Sequence, residues 1–354
     1  MEILLVLLIP VVIAVIFFIL SKNITLKEFI AHVIIQLFVA AISIGILTCS
    51  NITYKEVWNG QVIKKTKERV HCRHSYPCNP HPCMCDDKGN CSTCWDTCYE
   101  HLYDIDWDVH DNTGNTWTIN TVDRQGLIQP PRWTKVEKGD PTSHIHYYKD
   151  YLKASKTTIY KSEGAEEYIK KYEKILPRYP IQIYDYYNLN RLLTVGVKIE
   201  NHKEYSKLLS ELNGRIGRIK QCNVIIVIVN DKPKEFFYAL AQQWIGANKN
   251  DIVLVISVDN NEIIWANVMA LSNSNIFQVK LGDEIESLKT LDMDKVLIST
   301  EDNIKKYYTR KRMREFKYLL AEIQPEMWQV LLTMIIGICI SLGLSFWFHS
   351  EEII

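Results

Sequence analysis

Three long apolar runs divide the chain. Residues 3–20 carry no charge and are interrupted only by Pro10, residues 29–47 hold only His32 and Gln36 as strongly polar members, and residues 327–347 are again uncharged. Each approaches the roughly 20 residues that a helix needs to cross a hydrocarbon core. The first two, joined by the polar link SKNITLKE, predict a transmembrane helical hairpin over 1–49. The third predicts a C-terminal transmembrane helix over 327–348, with Trp328 and Trp347 at its two interfaces and Gly337, Ser341 and Gly343 as small residues along it. The opening Met1-Glu2 lacks the basic start and small-residue cleavage site of a signal peptide, so the first run is expected to remain as an anchor.

Between the runs the pattern changes period. From 103 to 109, Tyr103, Ile105, Trp107 and Val109 alternate with Asp104, Asp106 and Asp108, which predicts a half-buried strand with a solvated acidic face. The turn signal Asp111-Asn112-Thr113-Gly114, followed by Trp117 and Ile119, makes it a hairpin. His144-Ile145-His146 reads as a surface strand or loop. A helical connector is expected over 151–189, with a helix at 165–176 stopped by Pro177 and an aromatic run at 184–187. From 190 the pattern is strand 192–199, then a helix opened by an Asn201/Glu204 capping box with Tyr205, Leu208, Leu209, Leu212 and Ile216 inward. The uninterrupted apolar run 223–229 predicts a strand covered on both faces. A helix from Pro233 to Gly246 and two strands, 252–258 and 263–271, complete an α/β sandwich over 190–300 whose strand ends are the expected place for a ligand. A charged helix at 303–323 fills the segment 301–326. The fold class expected is therefore an α+β membrane protein.

The stretch 71–101 stands apart. It concentrates seven of the ten cysteines with four histidines and almost no apolar residues, so its folding free energy must come from metal bonds or disulfides. Seven is an awkward number for closed disulfide pairing, and the spacings Cys91-x2-Cys94, Cys98-x2-His101 and Cys72-x-His74 suit zinc knuckles. The candidate ligands are Cys72, His74, Cys78, Cys83, Cys85, Cys91, Cys94, Cys98 and His101. They suffice for two structural zinc sites of four ligands with one residue over, and make 50–150 a Cys/His-rich zinc-binding module with a β-hairpin.

Charge narrows the function. Forty-one basic residues balance forty-one acidic ones, which argues against a nucleic-acid partner and leaves the lipid bilayer, a protein partner or a second copy of the chain. Lys55, Lys64, Lys65, Lys67, Arg310, Lys311, Arg312, Arg314 and Lys317 flank the middle region, whereas only Lys22 and Lys27 lie in the first link. Positive-inside reasoning places the middle region in the cytoplasm, and reduced, zinc-binding cysteines agree.

The segment WIGANKNDIVLVISVD at 244–259, with the strand and helix before it, resembles the TPM domain family over about 192–300. That resemblance implies an α/β sandwich tethered to a membrane, in a family linked to assembly or repair of membrane complexes and, for some members, to phosphatase activity. Where the family has a glycine-rich acidic motif after Trp265, this chain reads ANVMALSNSN, so no catalytic residue is carried over. The whole layout, with Trp95-Asp96-Thr97-Cys98-Tyr99-Glu100-His101 and Asp106-Trp107-Asp108-Val109 ahead of the α/β region, also resembles membrane proteins of large tailed bacteriophages that have no assigned activity. The expected function is a membrane-anchored, zinc-stabilised binding or scaffold protein without catalysis of its own. The alternative is a membrane-bound, phosphatase-like hydrolase working from Asn230, Asp231 and Asp259, although no nucleophile or basic phosphate clamp adjoins them.

Overall fold

The computed structural model describes residues 2–21, 23–85, 89, 91–155, 165–183, 190–274, 276–323 and 325–350, so the aromatic run at 184–187 lies outside the described residues. Two compact units organise the chain, one of residues 1–55, 147–164 and 312–354 and the other of 56–146 and 165–311.

The first unit is a helical bundle. Helix α1 (Glu2–Leu20) covers the first apolar run and α2 (Leu26–Ile52) the second; α10 (Met327–Ser350) is the last helix of the chain. Among the described residues, α2 and α10 are the two helices long and apolar enough to cross a membrane. A capping box opens α2, with Thr25 and Glu28 exchanging side-chain and backbone hydrogen bonds. In α10 the buried residues Val330, Thr333, Gly337, Ser341, Ser345 and Phe348 recur every three or four positions and form one packed face. Gly337 works by smallness, since a Cβ there would lie 3.0 Å from Pro10 Cγ; Gly343 has open space around it. Two polar contacts link the helices across the packed faces, while Thr333 bonds within its own helix to the Gln329 carbonyl at 2.9 Å. Ser341 Oγ donates to the Pro10 carbonyl at 2.8 Å and lies 3.1 Å from His32 Nε2, joining all three helices. At the other end of α2, Asn51 and Gln329 exchange reciprocal amide bonds of 3.0 and 3.1 Å.

The second unit contains two sheets and a ribbon. A four-stranded antiparallel sheet has the order β5-β4-β1-β6, from β1 (Thr53–Val70), β4 (Asp104–Asp111), β5 (Thr116–Ile119) and β6 (Pro141–Lys149). Between β1 and β4 the chain leaves as the separate ribbon of β2 (Ser75–Cys85) and β3 (Cys91–Tyr99). Trp107, Ile105, Val109, Val62 and Ile119 form the core of the sheet, sealed by Trp133 from the short helix α3 (Pro131–Lys135), whose ring meets Trp107 edge-on at 4.9 Å. The alternation predicted for β4 is present, but its acidic face is not solvated. Asp104, Asp106 and Asp108 are all buried, because Arg73 at the base of the ribbon reaches Asp104 and Asp106 and Thr118 of β5 reaches Asp108. Arg73 donates to Asp106, and Thr118 donates to Asp108 at 2.7 Å. His144 and His146 likewise lie on a packed strand: His146 stacks on Trp58 with centroids 4.0 Å apart, and His144 is half-buried 4.0 Å from Asp111.

The chain then passes α4 (Tyr151–Ala154) and α5 (Ala165–Tyr172) into a three-layer α/β domain. Its sheet has the order β10-β9-β8-β7, from β7 (Leu192–Val195), β8 (Asn223–Asn230), β9 (Asp251–Asp259) and β10 (Glu262–Ala270). The first three strands are parallel and β10 returns antiparallel through a turn in which Asn260 and Asn261 both take positive φ, 44° and 70°. Helices α6 (His202–Lys220), α8 (Phe277–Ser287) and α9 (Met293–Tyr307) cover the face carrying Ile226, Ile228 and Leu254. Helix α7 (Glu235–Gln243) and α5 cover the face carrying Val227, Val229 and Val255. The capping box expected at Asn201 does not form, because Asn201 is left-handed and its side chain makes no cap bond. The charged helix expected at 303–323 is instead two elements, α9 and a 3-10 helix (Met313–Glu322). They are separated where Tyr308 turns extended and buries its ring, and where Arg310 bridges to Ser272.

One packing detail joins the sheets. Helix α6 carries Gly214 and Gly217 in its interior because the β1 backbone crosses there: a Cβ on Gly214 would lie 2.8 Å from the Gly60 carbonyl, and one on Gly217 would collide with that of Asn59. Asn59 Nδ2 donates to Asn223 Oδ1 at 3.0 Å, and Asn250 Nδ2 to the Val57 carbonyl at 2.7 Å.

Candidate metal centre

The ribbon has no buried residue on either strand, so it holds itself together by covalent bonds rather than a core. Cys78–Cys98, Cys83–Cys94 and Cys85–Cys91 are disulfides. The first two have Cα separations of 5.8 and 5.7 Å, inside the usual range. Strand geometry explains why the knuckle spacings do not bring metal ligands together. On regular β3, residues three apart point to opposite faces, so Cys91 and Cys94 diverge instead of pinching one ion. On β2, bulges between Cys78 and His81 and between Cys83 and Cys85 each insert one residue, with Asn79 and Met84 in positive φ; Cys85 then lies opposite Cys91, while Cys78 and Cys83 face Asp96 and Ser92 and reach Cys98 and Cys94 diagonally.

The seventh cysteine is set apart at the base. Cys72 and His74 lie where the chain passes from β1 to β2, and His101 and Asp104 where it passes from β3 to β4. Their four ligand atoms all lie within 4.8 Å of one another. Cys72 Sγ is 3.7 Å from His101 Nδ1, His101 Nδ1 is 3.3 Å from Asp104 Oδ1, and His74 Nδ1 is 3.3 Å from Asp104 Oδ2. Tetrahedral zinc with S, N and O donors requires edges of about 3.3–3.7 Å, given its bond lengths of roughly 2.0–2.3 Å. Three of the six donor–donor edges, two of them to different Asp104 oxygens, fall in that range, and the rest lie within 4.8 Å.

Local structure holds each donor in place. The Arg73 backbone N–H donates to Asp104 Oδ2 at 2.9 Å, and the Glu100 backbone N–H donates to the His74 carbonyl at 2.9 Å, tying the two connecting segments together. Cys72 and Asp104 are buried, while the two imidazoles are half-buried. The Arg73 N–H, helped by Cys72, His101 and His74, holds the Asp104 carboxyl below its ordinary range despite the opposing effect of burial, so it is an anionic donor at neutral pH. His74 Nδ1 is buried without a hydrogen-bond partner although it points into the tetrad. A buried ring nitrogen left in that state fits a metal ligand. One thiolate, one carboxylate and two neutral imidazoles would balance a divalent cation, and four protein donors form a closed, structural set.

Of the nine predicted ligands the structure therefore brings together Cys72, His74 and His101, while Cys78, Cys83, Cys85, Cys91, Cys94 and Cys98 are in disulfides. The fourth donor, Asp104, was assigned to a solvated face by the alternation. The signal that identifies it is the spacing His101-x2-Asp104, which repeats the two-residue gap sought among the cysteines.

A second group of potential ligands, Glu68, Asp108 and His110, lies across β1 and β4. Two of its members are already engaged: His110 sits between Thr66 at 2.7 Å and Thr116 at 2.9 Å, and Asp108 accepts from Thr118, while Glu68 is exposed. Asn230, Asp231 and Asp259 do lie at strand ends, as the hydrolase alternative requires. In comparisons with protein families, curated proteins and solved structures, the chain matches none.

Proposed function

We propose that this chain is a membrane-anchored binding protein that presents a disulfide-stapled ribbon, fixed at its base by one zinc ion, on the oxidising side of the membrane. The observation supporting this most strongly is the convergence of Cys72, His74, His101 and Asp104 where both ribbon strands join the sheet. Zinc there sets the angle at which the arm leaves the sheet, and the disulfides keep the arm in register. The arm exposes Tyr76, Met84, Trp95 and Tyr99, the aromatic and Met types that anchor protein partners. The bilayer is the second partner.

The three disulfides support the oxidising side, since such bonds persist outside reducing compartments. The basic residues that favoured the cytoplasm carry less weight once folded. Lys65 and Lys67 lie over the Trp133 and Trp107 rings, and Arg310 Nη2 donates to both carboxylate oxygens of buried Glu56 at 2.7 and 2.8 Å. Long loops and folded domains cross a membrane largely regardless of their charge.

The test is metal content of the full chain purified in detergent without reductant. One zinc per chain is expected, absent from Cys72→Ser and Asp104→Ala but retained by Cys83→Ser/Cys94→Ser. Unchanged zinc in the first two variants would overturn the assignment.

A further inference from the structure

Two consecutive connections in the α/β domain step the same way across the sheet, from β7 to β8 and from β8 to β9, yet α6 and α7 lie on opposite faces. Two crossovers that step alike but use opposite faces have opposite hands, so one departs from the near-universal right-handed rule. The consequence is local. The chain leaving β7 turns to one face and the chain leaving β8 turns to the other, which opens a crevice at their carboxyl ends, the switch-point position where α/β sheets bind ligands. A cleft of about 910 Å³ occupies that position, near the top of the roughly 300–1,000 Å³ range of small-molecule sites.

We propose that this cleft binds a neutral, polyhydroxylated ligand of one or two sugar units. Asn201, Asn230, Asn260 and Asn261 line it, from the α6 start, the β8 end and the β9–β10 turn. Among the described residues none of the four side chains has a hydrogen-bond partner, so each offers both a donor and an acceptor. Paired donor and acceptor groups are what adjacent hydroxyls need. Tyr205 adds a half-buried ring on one wall, and Val258 and Met293 add a buried apolar floor. A phosphate-bearing ligand fits poorly: the lining contains no arginine, its single lysine Lys198 is matched by Glu200, and only Gly196 would let backbone approach closely. Asp292 is already committed to capping α9 and to Lys295 at 3.1 Å. On the rim, Asn201, Asn260 and Asn261 hold positive φ.

That conformation also supplies clean variants, because glycine tolerates positive φ and removes only the amide. The experiment titrates the full chain, in a detergent without a sugar headgroup, with chitobiose, cellobiose, maltose and ATP, followed by calorimetry. At least one disaccharide is expected to saturate one site per chain, with affinity falling at least about tenfold in Asn201→Gly/Asn261→Gly. ATP is expected not to compete. Absence of saturation by all three disaccharides, unchanged affinity in the glycine variant, or displacement by ATP would each overturn the proposal. None of these outcomes depends on the metal content of the ribbon.

Discussion

At the residue scale, two buried groups carry the sharpest expectations. Asp251 is buried at the start of β9 and accepts from Asn223 Nδ2 at 2.8 Å, Tyr179 OH at 2.8 Å and the Asn248 backbone at 2.7 Å, with fully buried Arg191 held on the far side of Asn223. Burial raises its carboxyl above the ordinary range, against those hydrogen bonds. A raised carboxyl makes its stabilising contribution at low pH and loses it as pH rises from about 3.9 through the folded value. Asp251→Ala strands three donors and removes a counter-charge from Arg191, so chemical denaturation at pH 7 should show a loss of about 3–5 kcal/mol. A loss near zero would remove the network from the account. Cys222 is the second group: burial pushes its thiol up to about 12. Only thiolate reacts, so Cys222 should resist iodoacetamide at pH 8 in the native protein and label in urea. Native labelling at the rate of a free thiol would contradict its burial. The centre itself was partly legible at this scale. Composition pointed to Cys72, His74 and His101, but Asp104 was hidden because alternation fixes which side of a strand a residue faces and not whether another element covers that side.

At the element scale, the ribbon and the helical bundle show what pattern does and does not encode. The apolar runs mark β8 and β9 because strands buried on both faces leave only apolar residues in a run, and they mark α2 and α10 as helices whose apolar length suits a bilayer. The ribbon had no such signal, and its pairing depends on two bulges whose positive-φ residues, Asn79 and Met84, are not glycines. The strand β1 gives no signal for a related reason: five of its last eight residues are charged, which a sheet tolerates when the lysine stems lie over Trp107 and Trp133. Reduction should release stabilisation of order 2–4 kcal/mol per disulfide. Hydrogen exchange should therefore show residues 75–99 losing protection in dithiothreitol while β8 and β9 keep theirs; protection unchanged on the ribbon would mean that its pairing does not depend on the staples. In the bundle, Gly337→Leu drives a side chain into Pro10 and should lower stability in detergent by about 1–3 kcal/mol, whereas Gly343→Leu, with open space around it, should be tolerated. Equal effects would show that the packed face is assigned wrongly.

At the scale of the whole molecule, the chain combines helices suited to a bilayer, an antiparallel sheet that carries a covalent arm, and an α/β domain with a cleft at its strand ends. The order of these parts was readable from hydropathy and period. The divergent helices around β8 were not, since the choice of sheet face is a tertiary property that neither apolar run nor helix period specifies. If the three apolar helices all span, the soluble region and the N-terminus share one side and the C-terminus lies on the other. Protease added outside intact spheroplasts should then digest the soluble region and spare a C-terminal tag, and protection of the soluble region would reverse the orientation. The central claim is that metal and disulfides coexist in one ribbon, with one ion at the base and three staples along the arm. Native mass spectrometry of the full chain, purified without reductant, measures both at once through the mass of bound metal and of the hydrogens lost to oxidation. The account predicts one zinc and three disulfides in the same molecule; two zinc ions on a fully reduced ribbon would contradict it.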